Sequence, residues 1–184
     1  MDSVLNPQLV VITGCMFSGK TEELIRQLKR SRIAGLGVVT FKPARDTRTG
    51  AEVKSRSGGT LDAHEVKDSA EILTIVKDVD HVVGIDEAQF FDPGLVDVVL
   101  QLIRKKKRVI VSGLDTDSFE KPFEVMAQLI ALAHPVVKLT AVCMKCRVRE
   151  ATRSQRLNES FDRIQVGDGE YEPRCLGCYE PVIR

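Results

Sequence analysis

An α/β fold built on a parallel sheet is what this sequence predicts, and three observations predict it. Apolar, β-branched runs recur at positions 9–13, 38–41, 82–85, 109–112 and 136–140. Amphipathic stretches separate most of them, the pattern of crossover helices between parallel strands. The first run leads directly into the glycine-bearing loop Gly14-Cys15-Met16-Phe17-Ser18-Gly19-Lys20-Thr21, and a helical pattern follows that loop.

Each element has its own justification. After the loop, Glu22 and Glu23 occupy a first helical turn, where carboxylates favour the dipole. Leu24, Ile25, Leu28 and Ile33 then recur at roughly helical spacing until Gly35 ends the helix. The same spacing predicts helices over about 69–77, 94–106 and 123–133. The polar stretch DTRTGAEVKSRSGGTL, 46–61, has no sustained periodicity and reads as a surface loop ordered by its ligand. After position 141 the character changes to cysteine pairs, charge and few long apolar runs. The chain therefore divides into an α/β domain, 1–141, expected to be the nucleotide-binding part once its loop is read below, and a small second unit, 142–184, for which the cysteines and the resemblance described below imply a zinc-binding domain with a substrate-binding loop.

Composition narrows the classes. A chain of 184 residues with 43% hydrophobic and 29% charged residues has the make-up of an ordinary soluble protein with one core and a small appendage. A net charge of +1 supplies no broad cationic face for nucleic acid, and the basic run from Arg104 to Arg108 reads as a solvated helix end. No segment approaches the ~18 apolar residues of a membrane span. The start MDSVLNPQ lacks the features of a signal peptide, so the expected location is cytoplasmic, with no membrane partner.

The loop matches GxxxxGK[ST] in full. Its glycines let successive backbone N–H groups turn toward phosphate oxygens, Lys20 neutralises the β- and γ-phosphates, and Thr21 offers a hydroxyl to Mg²⁺. The run from His81 to Glu87 reads as a buried strand delivering two carboxylates at its C-terminal end, where open parallel sheets bind ligands. Asp86 suits the metal-holding role and leaves Glu87 to accept a proton. A strand-terminal Asp-Glu pair also serves RecA-like ATPases, where the glutamate activates water, so these motifs leave hydrolase and kinase both open.

Four of the five cysteines form two CxxC pairs, Cys143/Cys146 and Cys175/Cys178. Two such knuckles make a tetrahedral structural Zn²⁺ site with no open position for chemistry, in a reducing compartment. Cys15 lies apart in the phosphate loop and is not expected as a ligand. Without aromatic stacking residues or a basic stripe, the zinc unit reads as the anchor of a substrate lid rather than a nucleic-acid module.

Together these residues resemble one family: the cellular, zinc-binding type of thymidine kinase. The resemblance runs from about Leu9 to Cys178. It rests on MFSGKTEEL at 16–24, FKPARDTR at 41–48, IDEAQFF at 85–91, GLD and KPFE within 113–124, and the cysteine pairs flanking VGDGEYEPRC at 166–175. It implies a P-loop NTPase fold with a RecA-like parallel sheet, helices on both faces and a small C-terminal zinc-binding lasso domain. It implies transfer of the γ-phosphate of ATP, with Mg²⁺, to the 5′-hydroxyl of thymidine and of deoxyuridine, in nucleotide salvage that feeds DNA synthesis.

Under this resemblance Glu87 is the general base. Asp46, Thr47 and Arg48 face the phosphates, and Asp86, Ala88 and Gln89 lie with Glu87 along the nucleotide. Arg156 approaches the phosphates. Met16, Phe90, Leu114 and Phe123 wall the thymine pocket. The main chain of Ile164, Gln165, Val166 and Gly167, with the side chain of Tyr171, forms the lasso over the base. The resemblance further implies a homotetramer and feedback inhibition by dTTP. The chain departs from many relatives at Ser118, where they carry phenylalanine and this chain has Phe119 one place later. Glu124 replaces a glycine, and the lasso is one residue shorter before Tyr171.

Overall fold

All five apolar runs become strands of one parallel sheet in the structure, a computed structural model that describes residues 7–44, 52–55, 58–158 and 169–181. The strands are β1 (Leu9–Gly14), β2 (Gly37–Pro43), β3 (Glu52–Lys54), β4 (Thr60–Asp62), β5 (His64–Val66), β6 (Asp80–Ile85), β7 (Arg108–Gly113), β8 (Val136–Leu139), β9 (Ala141–Val142), β10 (Glu150–Ala151), β11 (Arg153–Arg156) and β12 (Tyr171–Arg174). The helices are α1 (Lys20–Ile33), α2 (Ala70–Ile75), α3 (Leu95–Arg104) and α4 (Glu124–Leu132), with a 3₁₀ turn at Ala88–Phe90.

The central sheet has the order β5-β2-β6-β7-β1-β8, and every neighbouring pair is parallel. One strand, β7, therefore separates the strand that feeds the phosphate loop from the strand that leads into Asp86, as in a RecA-like sheet. The register places Thr13 beside Gly113 and Ile85 beside Val111. The loops leaving β1, β6 and β7 thus emerge together along one edge of the sheet, where a parallel sheet collects its ligands.

Alternating side chains divide between two cores. Leu9, Val11, Val39, Phe41, Val83, Ile85, Val109 and Val111 pack with residues of α2, α3 and α4. Val10, Ile12, Val82 and Ile110 point the other way, onto Leu24, Ile25 and Leu28 of α1. Helices cover both faces, which is why the strands read as continuous apolar runs rather than alternating ones. Among the described residues no helix is long and apolar enough to cross a membrane.

Three local readings need correction. The stretch 46–61 is not wholly a loop: β3 and β4 form an antiparallel hairpin in which Val53 and Leu61 pair, both buried against the α1 side of the sheet. With one inward residue per strand, it offered no period to detect. His64–Val66 adds a sixth strand, β5, at the sheet edge, too short to stand out by composition.

The basic run at the end of α3 is not simply a solvated helix end. Lys107 is buried, and its ammonium donates to the carbonyls of Lys77 at 3.0 Å and Asp78 at 2.9 Å. The Lys107 N–H reaches the Leu102 carbonyl at 3.0 Å and the Lys106 N–H the Ile103 carbonyl at 2.9 Å, a Schellman closure with Lys106 left-handed at φ 63°. That position favours glycine. Lys106→Gly is expected to stabilise the protein by about 0.5–1 kcal/mol in chemical denaturation, because it removes a side-chain strain that glycine does not carry.

Candidate active site and metal centre

The phosphate loop leaves β1 at Gly14, whose φ is 143°. A Cβ there would lie 2.2 Å from the Leu139 carbonyl at the end of β8, so only glycine admits this close pass. Gly19, left-handed at φ 82°, then delivers the chain into α1. Lys20, the first residue of α1, folds back and donates from Nζ to the Cys15 carbonyl at 2.7 Å. Burial pulls its ammonium below the ordinary lysine pKa, and the carboxylates of Glu87, Asp86 and Asp115 act in the opposite direction. Ammonium and carboxylates therefore face one another across the sheet edge.

Asp86, the first residue past β6, lies in a site that penalises its charge. Its carboxyl is pushed up to about 6, first by burial and next by the neighbouring Glu87 carboxylate. The hydroxyls of Ser112 and Thr21 and the Glu87 N–H, which donates to Oδ1 at 3.0 Å, favour the ionised form but do not prevail. Paired carboxylates beside the Thr21 hydroxyl, all hard oxygen donors, fit a divalent cation that would relieve this repulsion.

Glu87 is left-handed, φ 51° and ψ 41°, and begins the 3₁₀ turn. Its Oε2 accepts from Gln89 Nε2 at 2.5 Å. Gln89 Oε1 in turn accepts the Leu114 N–H at 3.0 Å. The backbone beyond β7 thereby sets which way the Gln89 amide faces and aims its N–H at the Glu87 carboxylate. Gly113 makes room for this arrangement, since a Cβ there would come within 2.8 Å of Gln89 Oε1 and 2.6 Å of Met126 Sδ.

The segment after β7 turns back on itself through Asp117, whose Oδ1 accepts the N–H groups of Phe119 and Lys121, each at 2.9 Å. It is also fastened to the C-terminal residues. Glu120 pairs with Arg153 at 2.7 Å, and the Tyr179 hydroxyl donates to the Ser118 carbonyl at 2.5 Å. Arg156 is buried with its guanidinium over the rings of Phe119 at 5.3 Å and Tyr171 at 5.4 Å, and it donates to the Tyr171 hydroxyl at 2.8 Å. Phe119 thus supplies an aromatic face next to the buried Ser118.

The four cysteines converge. The Sγ atoms of Cys143, Cys146, Cys175 and Cys178 all lie within 4.8 Å of one another. A tetrahedral Zn²⁺ with Zn–S bonds of ~2.3 Å needs sulfurs about 3.8 Å apart, so the cluster is compatible with zinc. Each knuckle closes on itself: the Arg147 N–H bonds the Cys143 carbonyl at 2.8 Å, and the Cys178 N–H the Cys175 carbonyl at 3.0 Å. Although burial resists it, backbone N–H groups of Cys146, Cys175 and Lys145 bring the Cys143 thiol down to about 6. Cys178 is pushed up to about 12, first by the Cys175 side chain and then by burial.

A family model for thymidine kinase matches residues 7–179. The chain is 49% identical over 173 residues to a thymidine kinase of Rhodothermus sp. (strain ITI 518), covering 93% of this chain and 80% of the relative. It is 50% identical over 175 residues to one of Coprothermobacter proteolyticus, covering 91% and 87%. It is 44% identical over 179 residues to one of Bacteroides fragilis (strain YCH46), covering 96% and 89%.

The chain belongs to the thymidine kinase family. As a thymidine kinase family member it is a kinase, a phosphoryl transferase. Of the residues singled out in its sequence, Gly14 to Thr21, Asp86, Glu87, Ala88, Gln89 and Leu114 gather at the exits of β1, β6 and β7. Met16 and Phe90 are partly buried, and Phe123 is buried in the helix-side core with Leu114 packed against that core. Tyr171 begins β12 and is bonded to Arg156. Asp46, Thr47 and Arg48, and Ile164, Gln165, Val166 and Gly167, lie outside the described residues.

One expectation about this thymidine kinase family member changes. Cys15 does not lie apart: it is buried among Cys143, Cys175 and Ala151, and its thiol donates to the Ala151 carbonyl at 3.3 Å. Burial holds that thiol above its ordinary pKa, and it is not among the four clustered sulfurs. Gln89 touches the Glu87 carboxylate directly, a contact its place in IDEAQFF did not disclose. Asp115 also went unread. It pairs with Lys138 at 2.9 Å and adds its charge to the field around Lys20, and only its place next to Leu114 in the GLD triplet could have flagged it.

Proposed function

We propose that this chain transfers the γ-phosphate of ATP to the 5′-hydroxyl of thymidine, and of deoxyuridine, which lacks only the 5-methyl group. The observation that carries the proposal is the aimed carboxylate of Glu87. It is held by Gln89, which is itself pinned by the Leu114 N–H, and it faces the lysine of the phosphate loop. A proton acceptor fixed in that position suits a bound hydroxyl.

Residues 1–141 form the donor side. Backbone N–H groups of the loop Gly14–Thr21 and the start of α1 cradle the triphosphate, and Lys20 spreads positive charge over the transferred group. Thr21 and Asp86 would hold Mg²⁺, which would supply positive charge against the phosphates. Ala88 and Gln89 border the nucleotide. The Asp86 N–H bonds the Phe41 carbonyl near the end of β2 at 2.9 Å, which supports a role beside the phosphates for Asp46, Thr47 and Arg48 further along the same chain.

Residues 142–184 form the acceptor side. Cys143, Cys146, Cys175 and Cys178 hold a structural Zn²⁺ at the base of the lasso. The main chain of Ile164, Gln165, Val166 and Gly167 reads the base, and Tyr171, Met16, Phe90, Leu114 and Phe123 enclose it. A base read by backbone groups is selective because a wrong base leaves those groups unpaired. Glu87 takes the 5′-proton as the phosphoryl group transfers in line, and the enclosed hydroxyl outcompetes water by position. The same reading extends to a cytoplasmic homotetramer inhibited by dTTP, with the base in the lasso and the phosphates in the donor loop.

The test is to incubate the purified protein with ATP, Mg²⁺ and each of thymidine, deoxyuridine, deoxycytidine and deoxyguanosine, and to quantify the 5′-monophosphates. Product from thymidine and deoxyuridine with little from the other two is expected. No monophosphate from any nucleoside, with ATP binding verified, would end the kinase reading and favour nucleic-acid-stimulated ATP hydrolysis.

A further inference from the structure

The phosphate loop is anchored outside its own domain. Cys15 and Met16 are the first two residues past Gly14, and both bond to the C-terminal ribbon. The Cys15 thiol donates to the Ala151 carbonyl at 3.3 Å, and the Met16 N–H donates to Ser154 Oγ at 3.0 Å. Neither contact is peripheral, since Cys15, Ala151 and Ser154 are all 5% exposed or less. Ala151 belongs to β10, which pairs with β9, and the Cys143 N–H just beyond β9 bonds the Arg149 carbonyl just before β10 at 3.0 Å. The path from Cys143 to Cys15 therefore crosses one short ribbon.

The other end of this connection reaches the chemistry. The Cys15 carbonyl accepts the Lys20 ammonium at 2.7 Å, so one peptide unit is held from the ribbon through its side chain and from the loop lysine through its oxygen. Gly14 passes close under the Leu139 carbonyl, two residues before β9 begins, which limits how far the loop can shift independently.

We propose that the cysteine-cluster ribbon is a positioning element for the phosphate loop, acting through Cys15, so that metal occupancy and ATP binding are thermodynamically linked. This rests on the reading above that the cluster holds Zn²⁺ and the loop holds ATP. Losing the metal loosens the β9–β10 ribbon, frees the Cys15 peptide and lets Lys20 swing from the position in which it meets the phosphates. By reciprocity, ATP bound to the loop tightens the metal by the same factor.

The experiment measures zinc release at equilibrium, as the competition constant between the holoprotein and a chromogenic chelator, with and without ATP–Mg²⁺ and with no nucleoside present, beside direct calorimetry of ATP binding. ATP is expected to tighten zinc in this competition at least ~5-fold, the lower range of ordinary coupling. Cys15→Ala is expected to bring that ratio close to one. Cys15→Ser, which restores a donor to the Ala151 carbonyl, is expected to recover most of it, and a merely structural role for Cys15 does not predict that rescue. Ser154→Ala, which leaves the loop sequence untouched, is expected to reduce the ratio in part. If ATP binds the holoprotein but leaves zinc release unchanged, or if Cys15→Ala keeps the full ratio, the proposal is overturned while the kinase reading stands. If ATP does not bind at all, both fail.

Discussion

Glu87→Gln is expected to lower kcat at least ~10²-fold while thymidine and ATP still bind, the span for loss of a general base. The substitution keeps the length and shape of the side chain, so the Gln89 contact at 2.5 Å can persist through the new amide oxygen. What disappears is the capacity to take a proton. The variant also removes the like charge beside Asp86, the second cause of that carboxyl's rise to about 6, so the cation site should suffer less than the chemistry. Single-turnover kinetics beside calorimetric titration with thymidine separates the two effects. Unchanged turnover in the presence of intact binding removes Glu87 from the role.

Asp86→Asn is expected to stabilise the ligand-free protein and disable it at once. An acid raised from its ordinary value near 3.8 to about 6 holds a proton in the native state that the unfolded chain has already released. Its contribution to stability is full below about pH 4 and is lost as pH rises through 6. Above that, the native state carries a buried charge at a cost on the order of 2–3 kcal/mol. Asparagine removes that cost, so the Tm near pH 7.5 should rise by about 4–12 °C for a chain of this size, with little change near pH 4. The thermal shift on adding ATP–Mg²⁺ should shrink and kcat should fall at least ~10²-fold if, as proposed, Asp86 is the carboxylate that holds the metal. Equal Tm gains at both pH values would mean the stabilisation does not come from this ionisation.

Both predictions concern residues that could be read from the sequence, and the reason is physical. The five strands and four helices were legible because a parallel sheet covered on both faces demands long apolar runs, with periodic helices between them. Gly14 to Thr21 and the Asp86-Glu87 pair could be singled out in the sequence because GxxxxGK[ST] and a strand-terminal carboxylate pair are patterns of neighbouring residues, and the structure brings both to the same edge of the sheet. What the sequence hid is contact over long separation. Nothing near Cys15 announces that its thiol meets Ala151, 136 positions away, and nothing in IDEAQFF says that Gln89 turns back to Glu87 because Leu114 pins its other end. The β3–β4 hairpin and β5 were too short to carry a period, and Lys107 reads as a surface charge until its two carbonyl partners are seen.

The fastenings between the segment after β7 and the C-terminal residues bear on how relatives can exchange parts. Arg153 to Glu120, Tyr179 to the Ser118 carbonyl, and Arg156 over Phe119 all join residues on opposite sides of the division near position 141. A chimaera that took its cysteine-cluster ribbon from one relative and the rest from another would place unmatched side chains at each of these joints. The unit that must be exchanged intact is therefore discontinuous in the chain: the ribbon has to be moved together with residues 114–123, so that Phe119 stays with Arg156, and Arg156 with Tyr171.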